Sequence, residues 1–313
     1  MKSRIALAAL IAGLAVLSSA CAQPADIFEL AKSGTPQSVQ AAIARGAKVN
    51  ARDKERMTPL MWAARSNRDP EVIKVLLKAG AELEARDLVY DVGGATALMH
   101  AAAHNPNPEV TATLLRAGAD LEARDNFGAT ALMYAAKKSQ NPKVITTLLE
   151  AGADLKVRNY AEWTVLMYAA QANENVEVLK TLLKAGASLQ GTSGGSTPLM
   201  VAAGNNRNPE VITTLIRAGQ DVNARDKGGW TPLMMAAAST DNPEIILTLL
   251  KAGANPKAKD ERGMTVFDWA QRNERLKGTE AYRRLQEASK GDDSKPSPAV
   301  SPFQVPTPAD QPA

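Results

Sequence analysis

The chain has 313 residues, of which 45% are apolar but only 4% aromatic, and its formal net charge is +4. This composition predicts a folded core built from Ala, Leu, Val, Ile and Met. Loss of Lys2 and Arg4 with an export leader would leave 35 basic against 33 acidic residues, a balance that argues against a nucleic-acid-binding protein. Cys21 is the only cysteine, which excludes an intrachain disulfide.

Residues 1–22 have the pattern of an export signal peptide. Lys2 and Arg4 give a positive start, residues 5–17 form an apolar run, and small residues follow. A run of 13 residues is too short to span a membrane comfortably.

Two endings of this signal remain open. Cleavage after Ala22 would release a soluble protein, whereas residues 18–21 (SSAC) look like a bacterial lipoprotein box in which Cys21 receives the lipid. That box usually begins with Leu, and here its first residue is Ser18. We therefore expect an exported protein, either periplasmic or lipid-anchored in the cell envelope, with secretion as a further option. It would contact a membrane only through the N-terminal lipid.

The stretch 129–154 (ATALMYAAKKSQNPKVITTLLEAGAD) describes the unit from which the chain is built. Thr130 is placed to cap a short helix, and Asn141-Pro142 begins a second one. Gly152 can adopt the left-handed conformation that ends the second helix. Because two such short helices cannot bury their apolar faces alone, the unit predicts copies on both sides.

These copies recur along the chain. The capping threonine is found at Thr58, Thr96, Thr130, Thr164, Thr197, Thr231 and Thr265. The terminating glycine is found at Gly46, Gly80, Gly118, Gly152, Gly186, Gly219 and Gly253. Six units keep 22 residues between Thr and Gly, while the connectors vary from 11 to 16 residues. Constant helices and variable connectors indicate that the helix pairs pack and the connectors are surface loops.

The ends of the array differ from its middle. Residues 25–57 read as an N-terminal capping repeat, 58–264 as full repeats and 265–290 as a C-terminal cap, because both ends are more polar than the units between them. Residues 291–313 contain six prolines among Ser, Asp and Gln, which predicts a disordered spacer or an extended peptide ligand.

Several strings carry a family resemblance: TPLMWAA at 58–64, TPLMVAA at 197–203, TPLMMAA at 231–237 and LLKAGAEL at 76–83. Over residues 25–290 the chain resembles the ankyrin family. The resemblance implies an all-α solenoid of about eight helix-turn-helix repeats with β-hairpin-like finger loops. It also implies a non-enzymatic protein that binds a protein partner. One departure is consistent: the family's usual His after Thr-Pro-Leu is Met in six units, for which we expect apolar packing instead of a hydrogen bond.

Charged residues follow the helices and fingers. Glu71 and its equivalents stand in first turns and Lys78 and its equivalents in last turns of second helices, which complements the helix dipole without implying a function. An Arg-Asp pair, first seen at Arg52-Asp53, recurs in most fingers. The Asp would fix the turn, and we expect the Arg to be solvated and paired with a neighbouring acid.

Motifs for catalysis or cofactor binding are nearly absent. His100 and His104 have metal-ligand spacing, but no third ligand lies near them in sequence. The stretch 191–197 (GTSGGST) is glycine-rich but lacks the Lys of a phosphate loop. We therefore expect no catalytic residues, no metal and no cofactor.

Two sets of ring-bearing residues are candidates for partner binding. The first lies four residues after the capping Thr and would line a track along the first helices: Trp62, His100, Tyr134 and Tyr168. The second lies in the fingers: Tyr90, Phe127, Tyr160, Trp163 and Trp230. The insertion 87–92 extends one finger and is a candidate for specific recognition. Packing and partner contact remain alternatives for both sets.

Together these patterns favour a monomeric scaffold in the bacterial cell envelope that binds a protein of unknown identity through its concave first helices and its fingers. The main alternative is a secreted protein that engages a foreign or host target. A second alternative is an envelope enzyme or metal-binding factor that uses His100 and His104, and a third is a passive lipid-tethered spacer.

Overall fold

The computed structural model describes residues 26–88 and 93–290. In these ranges sixteen α-helices form eight helix-turn-helix pairs in a row. The first helices are α1 (Ile27–Ser33), α3 (Pro59–Ser66), α5 (Ala97–His104), α7 (Ala131–Lys138), α9 (Val165–Ala172), α11 (Pro198–Asn205), α13 (Pro232–Ser239) and α15 (Val266–Arg272). The second helices are α2 (Pro36–Ala44), α4 (Pro70–Lys78), α6 (Pro108–Arg116), α8 (Pro142–Glu150), α10 (Val176–Lys184), α12 (Pro209–Arg217), α14 (Pro243–Lys251) and α16 (Glu280–Ser289). The predicted all-α solenoid of about eight repeats is confirmed.

The fingers that join successive pairs are turns rather than strands in the described residues. Their only β-type pairings are the isolated bridges between Arg158 and Thr164 and between Lys259 and Thr265. A 3₁₀ turn at Glu274–Leu276 separates α15 from α16. No helix in the described ranges is long and apolar enough to cross a membrane.

Local capping sets the helix limits. A threonine occupies the N-cap of each first helix from α3 to α15, and in six of these seven units its hydroxyl accepts the third amide of the helix. Thr130 occupies the same position without that hydrogen bond. Each second helix from α4 to α14 ends before a glycine at positive φ, as at Gly152 with φ 97°.

Small residues allow the first helices to approach one another closely. The Ala pair in the middle of each first helix from α3 to α13 is buried, as at Ala63 and Ala64. First helices pack on their neighbours more extensively than second helices do. The methionines that replace the family's His are also buried, which confirms the expected apolar packing. They are Met61, Met99, Met133, Met167, Met200 and Met234.

A buried asparagine that follows most first helices joins successive units. The Asn173 amide nitrogen donates to the carbonyls of Ala136 and Ser139 in the preceding unit, at 2.9 and 2.8 Å, while its side-chain oxygen accepts the Asn175 amide. The same pair of hydrogen bonds, from the side-chain amide to two carbonyls of the preceding unit, is made by Asn67, Asn105, Asn173, Asn206 and Asn273. Buried carbonyls at a helix end need hydrogen-bond donors. This asparagine supplies them to the preceding unit and also accepts an amide of its own unit.

The N-cap of the second helix makes another contact between units. Besides capping α8, Asn141 donates its amide hydrogen to the carbonyl of Pro106 in the preceding unit at 2.8 Å. Equivalent bonds are made by Asn107, Asn175, Asn208 and Asn242. In the unit next to the N-terminal cap the equivalent residue is Asp69, the N-cap of α4. Its carboxylate has no hydrogen to donate to the preceding unit.

The finger arginines act differently from the expected acid pairing. The guanidinium of Arg52 donates to the carbonyl of Arg86 at 2.9 Å, and that of Arg124 donates to the carbonyl of Arg158 at 3.1 Å. Arg86 and Arg225 reach the next finger in the same way. Five of the arginines in the described fingers directly precede the Asp or Asn, and of these only Arg52 and Arg225 come within 4.0 Å of a carboxylate. The neighbouring Asp is occupied with its own turn, so the Arg binds backbone instead.

One buried hydroxyl lacks a partner within the described residues, that of Thr111 in α6. Equivalent positions hold Ile73, Ile145, Leu179, Ile212 and Ile246, all buried. Thr111→Val should raise the free energy of unfolding by about 1 kcal/mol, because it removes an unsatisfied polar group at constant volume. Urea denaturation measures this gain. The matched control is Thr113→Val: the Thr113 hydroxyl accepts a hydrogen bond from Arg116, so no gain is expected there. Equal gains in both variants would contradict the explanation.

Candidate functional site

The rings of the predicted track hold the fingers through their polar ends. Trp62 donates its indole N–H to the Asp53 carboxylate at 2.8 Å, and Tyr134 donates its hydroxyl to the Asp125 carboxylate at 2.9 Å. His100 Nε2 lies 2.8 Å from Asp87. Each ring therefore bridges the first helix to the finger that precedes it.

The other oxygen of the same aspartate closes the finger turn. In Asp125, Oδ1 accepts the backbone amides of Phe127 and Ala129 at 2.9 and 2.7 Å, while Oδ2 accepts the Tyr134 hydroxyl. Asp125 is buried, so this saturation of both oxygens offsets the loss of hydration. The predicted role of Asp in the turn is confirmed, and its second role toward the ring is an addition.

One unit reverses the polarity of this bridge. Asn159 stands where most other fingers have Asp, and its amide donates to the Tyr168 hydroxyl at 2.9 Å. A phenol can accept this bond because its oxygen is both donor and acceptor. Burial raises the pKa of Tyr168 to about 12 and, together with the Asp125 charge, raises the pKa of Tyr134 far above its usual value. Both phenols therefore remain protonated at physiological pH.

Burial differs along the track. His100 is only 5% exposed, so its imidazole lies inside the stack and offers almost no surface to a partner. Trp62, Tyr134 and Tyr168 are half-buried and keep part of each ring at the surface. The track therefore combines a structural role with a limited exposed area.

The predicted finger aromatics separate into two groups. Trp163 packs edge-on against Tyr168 with centroids 5.9 Å apart, and Trp230 packs on Trp269 at 4.3 Å. These two indoles are half-buried against first-helix rings. Phe127 and Tyr160, in contrast, are exposed by 41% and 70%.

The exposed apolar side chains lie on consecutive fingers. Leu88 is 53% exposed and, with Phe127 and Tyr160, forms what we call the fingertip row. The Tyr160 amide donates to the Phe127 carbonyl at 2.9 Å, which fixes the two tips side by side. A Cβ added at Gly128 would lie 2.9 Å from the Tyr160 ring, so that ring lies directly over the glycine. Tyr90 and the rest of the insertion after Leu88 lie outside the described residues.

A group of basic side chains on three consecutive first helices is not predicted from the sequence. Arg65, His104, Lys137 and Lys138 lie in the last turns of α3, α5 and α7, and we call them the basic cluster. Arg65 lies 5.7 Å from the centroid of Trp62, and Lys137 lies 5.9 Å from that of Tyr168. Their common signal in the sequence is a base seven or eight residues after the capping Thr in three successive units.

The cluster is electrostatically unbalanced. Partial burial, helped by the positive charges of Arg65 and Lys138, lowers the pKa of His104 to about 4. Partial burial also lowers the pKa of Lys137, again with help from Lys138. Within the described residues, Arg65, Lys137 and Lys138 make no ion pair.

The shifted histidine predicts a pH dependence of stability. The folded state holds His104 neutral down to pH about 4, whereas an unfolded His protonates near pH 6.5, so between these values the unfolded chain binds more protons. The free energy of unfolding is therefore unaffected by His104 above pH 6.5, where the residue is neutral in both states. It decreases as the pH falls from 6.5 toward 4. We expect His104→Gln to flatten that decline in urea denaturations at pH 7.5 and 5. An unchanged difference between the two pH values would contradict the assignment.

Potential metal ligands do not gather in the described part of the chain, where no group of three His, Cys, Asp or Glu side chains is placed to hold an ion. Of the two histidines, His100 is engaged with Asp87, and His104 lies among cations.

Comparison with protein families gives one match, and comparison with curated proteins gives no significant match. The family model described as ankyrin repeats (3 copies) matches residues 27–87, 87–159, 155–226 and 199–283, which together span almost all of the helical array. Ankyrin repeats generally act as protein–protein interaction modules and are typically not enzymes. With the repeat geometry described above, these matches show that the chain belongs to the ankyrin repeat family.

Proposed function

We propose that the chain is a monomeric, non-enzymatic scaffold of the bacterial cell envelope that binds a partner protein through its first helices and its fingers. The fingertip row carries the proposal. Three large apolar side chains on neighbouring fingers stay exposed although the stack buries most of its other large apolar residues. Aromatic side chains on a rigid support are common anchors of protein interfaces.

The fingers are well suited to this role because they are fixed before binding. Asp125 closes one finger turn and ties it to Tyr134, and Arg124 bonds the backbone of the next finger. A surface already held in place loses little conformational freedom when a partner docks, which favours affinity for a given contact area.

The envelope location rests on the sequence of residues 1–22, which lie outside the described residues. Their charged start, apolar run and small residues support export, and Cys21 is the residue that a lipid would modify. Intact mass of the mature chain tests this directly. A mass starting at Gln23 indicates cleavage, a mass starting at a diacylated or triacylated Cys21 indicates a lipid anchor, and an uncleaved chain contradicts export.

Affinity capture from envelope extract tests the binding role. The full mature chain is compared with Phe127→Ala/Tyr160→Ala and with the matched control Lys143→Ala/Lys180→Ala on second helices. We expect a specific partner to be retained by the parent and the control but reduced about tenfold or more by the fingertip variant, because two hot-spot side chains are lost. Equal capture by all three, after equal helicity is verified, would contradict the fingertip assignment.

Three further outcomes discriminate the alternative functions. A secreted protein that engages a foreign or host target would capture its partner from host extract and none from the envelope. A metal-binding factor would lose its activity with His100→Gln/His104→Gln. A passive spacer would tolerate the fingertip substitutions without phenotype.

A further inference from the structure

We infer that the basic cluster of Arg65, His104, Lys137 and Lys138 is a docking site for an acidic, extended segment of a partner protein. This inference rests on the proposed binding function and names the chemistry of the partner. Three consecutive repeats contribute, so the site exists only in the stacked array.

The lack of carboxylates distinguishes this cluster from several other cations on the stack. Lys32 pairs with Glu29 and Lys74 with Glu71, and Lys180 lies between Glu177 and Glu210. In the basic cluster, by contrast, Arg65, Lys137 and Lys138 lie within 4.0 Å of no carboxylate in the described part of the chain. Arg65 and Lys138 are close enough to His104 to help lower its pKa. Charges that repel one another at a surface gain most from an anionic ligand.

Rings beneath the cations add an apolar component. Trp62 lies between Lys32, 4.1 Å from its centroid, and Arg65, while the Tyr168 ring lies near Lys137. The polar ends of Trp62, Tyr134 and Tyr168 are occupied by finger residues, so they leave aromatic surface rather than free donors. Such a surface fits a peptide that alternates carboxylates with apolar side chains.

The repeat spacing suggests the register of that peptide. Neighbouring packed helices lie about 8–10 Å apart, and an extended chain advances about 3.3 Å per residue. A carboxylate at every third residue would therefore face one repeat after another. A protein segment is favoured over nucleic acid because the cluster has few charges and the whole chain is nearly balanced, with 37 basic and 33 acidic residues.

A fluorescent peptide tests the inference on the full mature chain. The probe carries Glu at every third position and Ala, Leu and Ser between them, and fluorescence anisotropy reports binding. The test variant is Arg65→Gln/Lys137→Gln/Lys138→Gln. The matched control, Lys78→Gln/Lys184→Gln/Lys251→Gln, removes the same charge from exposed last turns of second helices. Equal circular dichroism and equal urea midpoints within error verify that both variants fold.

We expect the cluster variant to weaken peptide binding about tenfold or more, because it removes three attractive contacts, while the control binds like the parent. Equal weakening in both variants, or no binding to the parent, would overturn the inference. An oligonucleotide of equal charge that binds more tightly than the peptide would also overturn it, in favour of a polyanion site.

This outcome is independent of the fingertip experiment. Phe127→Ala/Tyr160→Ala should bind the peptide like the parent. A failed peptide assay beside intact partner capture rejects the acidic ligand alone, and failed capture beside cluster-dependent peptide binding rejects the proposed fingertip interface alone.

Discussion

Asn173→Ala is expected to lower the free energy of unfolding by about 3 kcal/mol, because it leaves buried carbonyls of the preceding unit without donors. In the native stack the Asn173 amide serves both Ala136 and Ser139, and the side chain is only 2% exposed. Alanine would also remove the acceptor for the Asn175 amide at the start of α10. Urea denaturation followed by circular dichroism measures the loss.

A graded control comes from the chain itself. Ser139 replaces the equivalent asparagine one unit earlier, and its hydroxyl bonds within its own unit, to the backbone of Asn141. Asn173→Ser should therefore keep the local bond and cost less than Asn173→Ala. Both variants lose the bonds to the preceding unit, so Asn173→Ser should still be clearly less stable than the parent. An Asn173→Ser variant as stable as the parent would show that those bonds are energetically unimportant, contrary to this account.

The second large effect concerns the finger bridges, where the same Asp→Asn substitution should destabilise one unit and leave another almost unchanged. Asp53→Asn should destabilise the fold by about 2 kcal/mol, because an amide N–H would face the indole N–H of Trp62, which cannot accept a hydrogen bond. The alternative flip would place the amide nitrogen against the turn amides of Glu55 and Met57.

Asp125→Asn should instead change stability by less than about 1 kcal/mol, because the Tyr134 hydroxyl can accept from the new amide. Asn159 and Tyr168 already form that arrangement one unit later. Thermal or urea unfolding of the two variants side by side measures the contrast. Equal destabilisation at both positions would show that the aspartate charge, rather than the donor pattern, matters.

The sequence predicts the helices well because their limits are set locally. Thr and Asn caps, Pro at the first helical position and Gly at positive φ act within a few residues, and Met at the family's His position points directly to apolar packing. What the sequence predicts less well are bonds between units. Asn173 reads locally as an ordinary loop residue, yet its partners lie 37 and 34 residues earlier.

The candidate site shows the same division. The roles of Asp125 in its turn and of Phe127 as a finger residue follow from local spacing, whereas the Asp125 bond to Tyr134 requires the finger to fold over the next helix. Arg52 was expected to pair with an acid because Asp53 adjoins it, but it chiefly bonds backbone on the next finger. The basic cluster is not evident in the sequence because each unit supplies only one or two basic residues, which come together only when the units stack.

The central claim is that partners bind the fingers and the first helices. Site-specific photo-crosslinking in the intact cell tests this claim most directly. A photoreactive residue is placed in the full chain at Tyr160, at Lys138 or at Lys184, which lie on a fingertip, a first helix and a second helix. We predict the same protein adduct from Tyr160 and Lys138 and none from Lys184. Adducts from Lys184 alone, or equally from all three positions, would contradict the account.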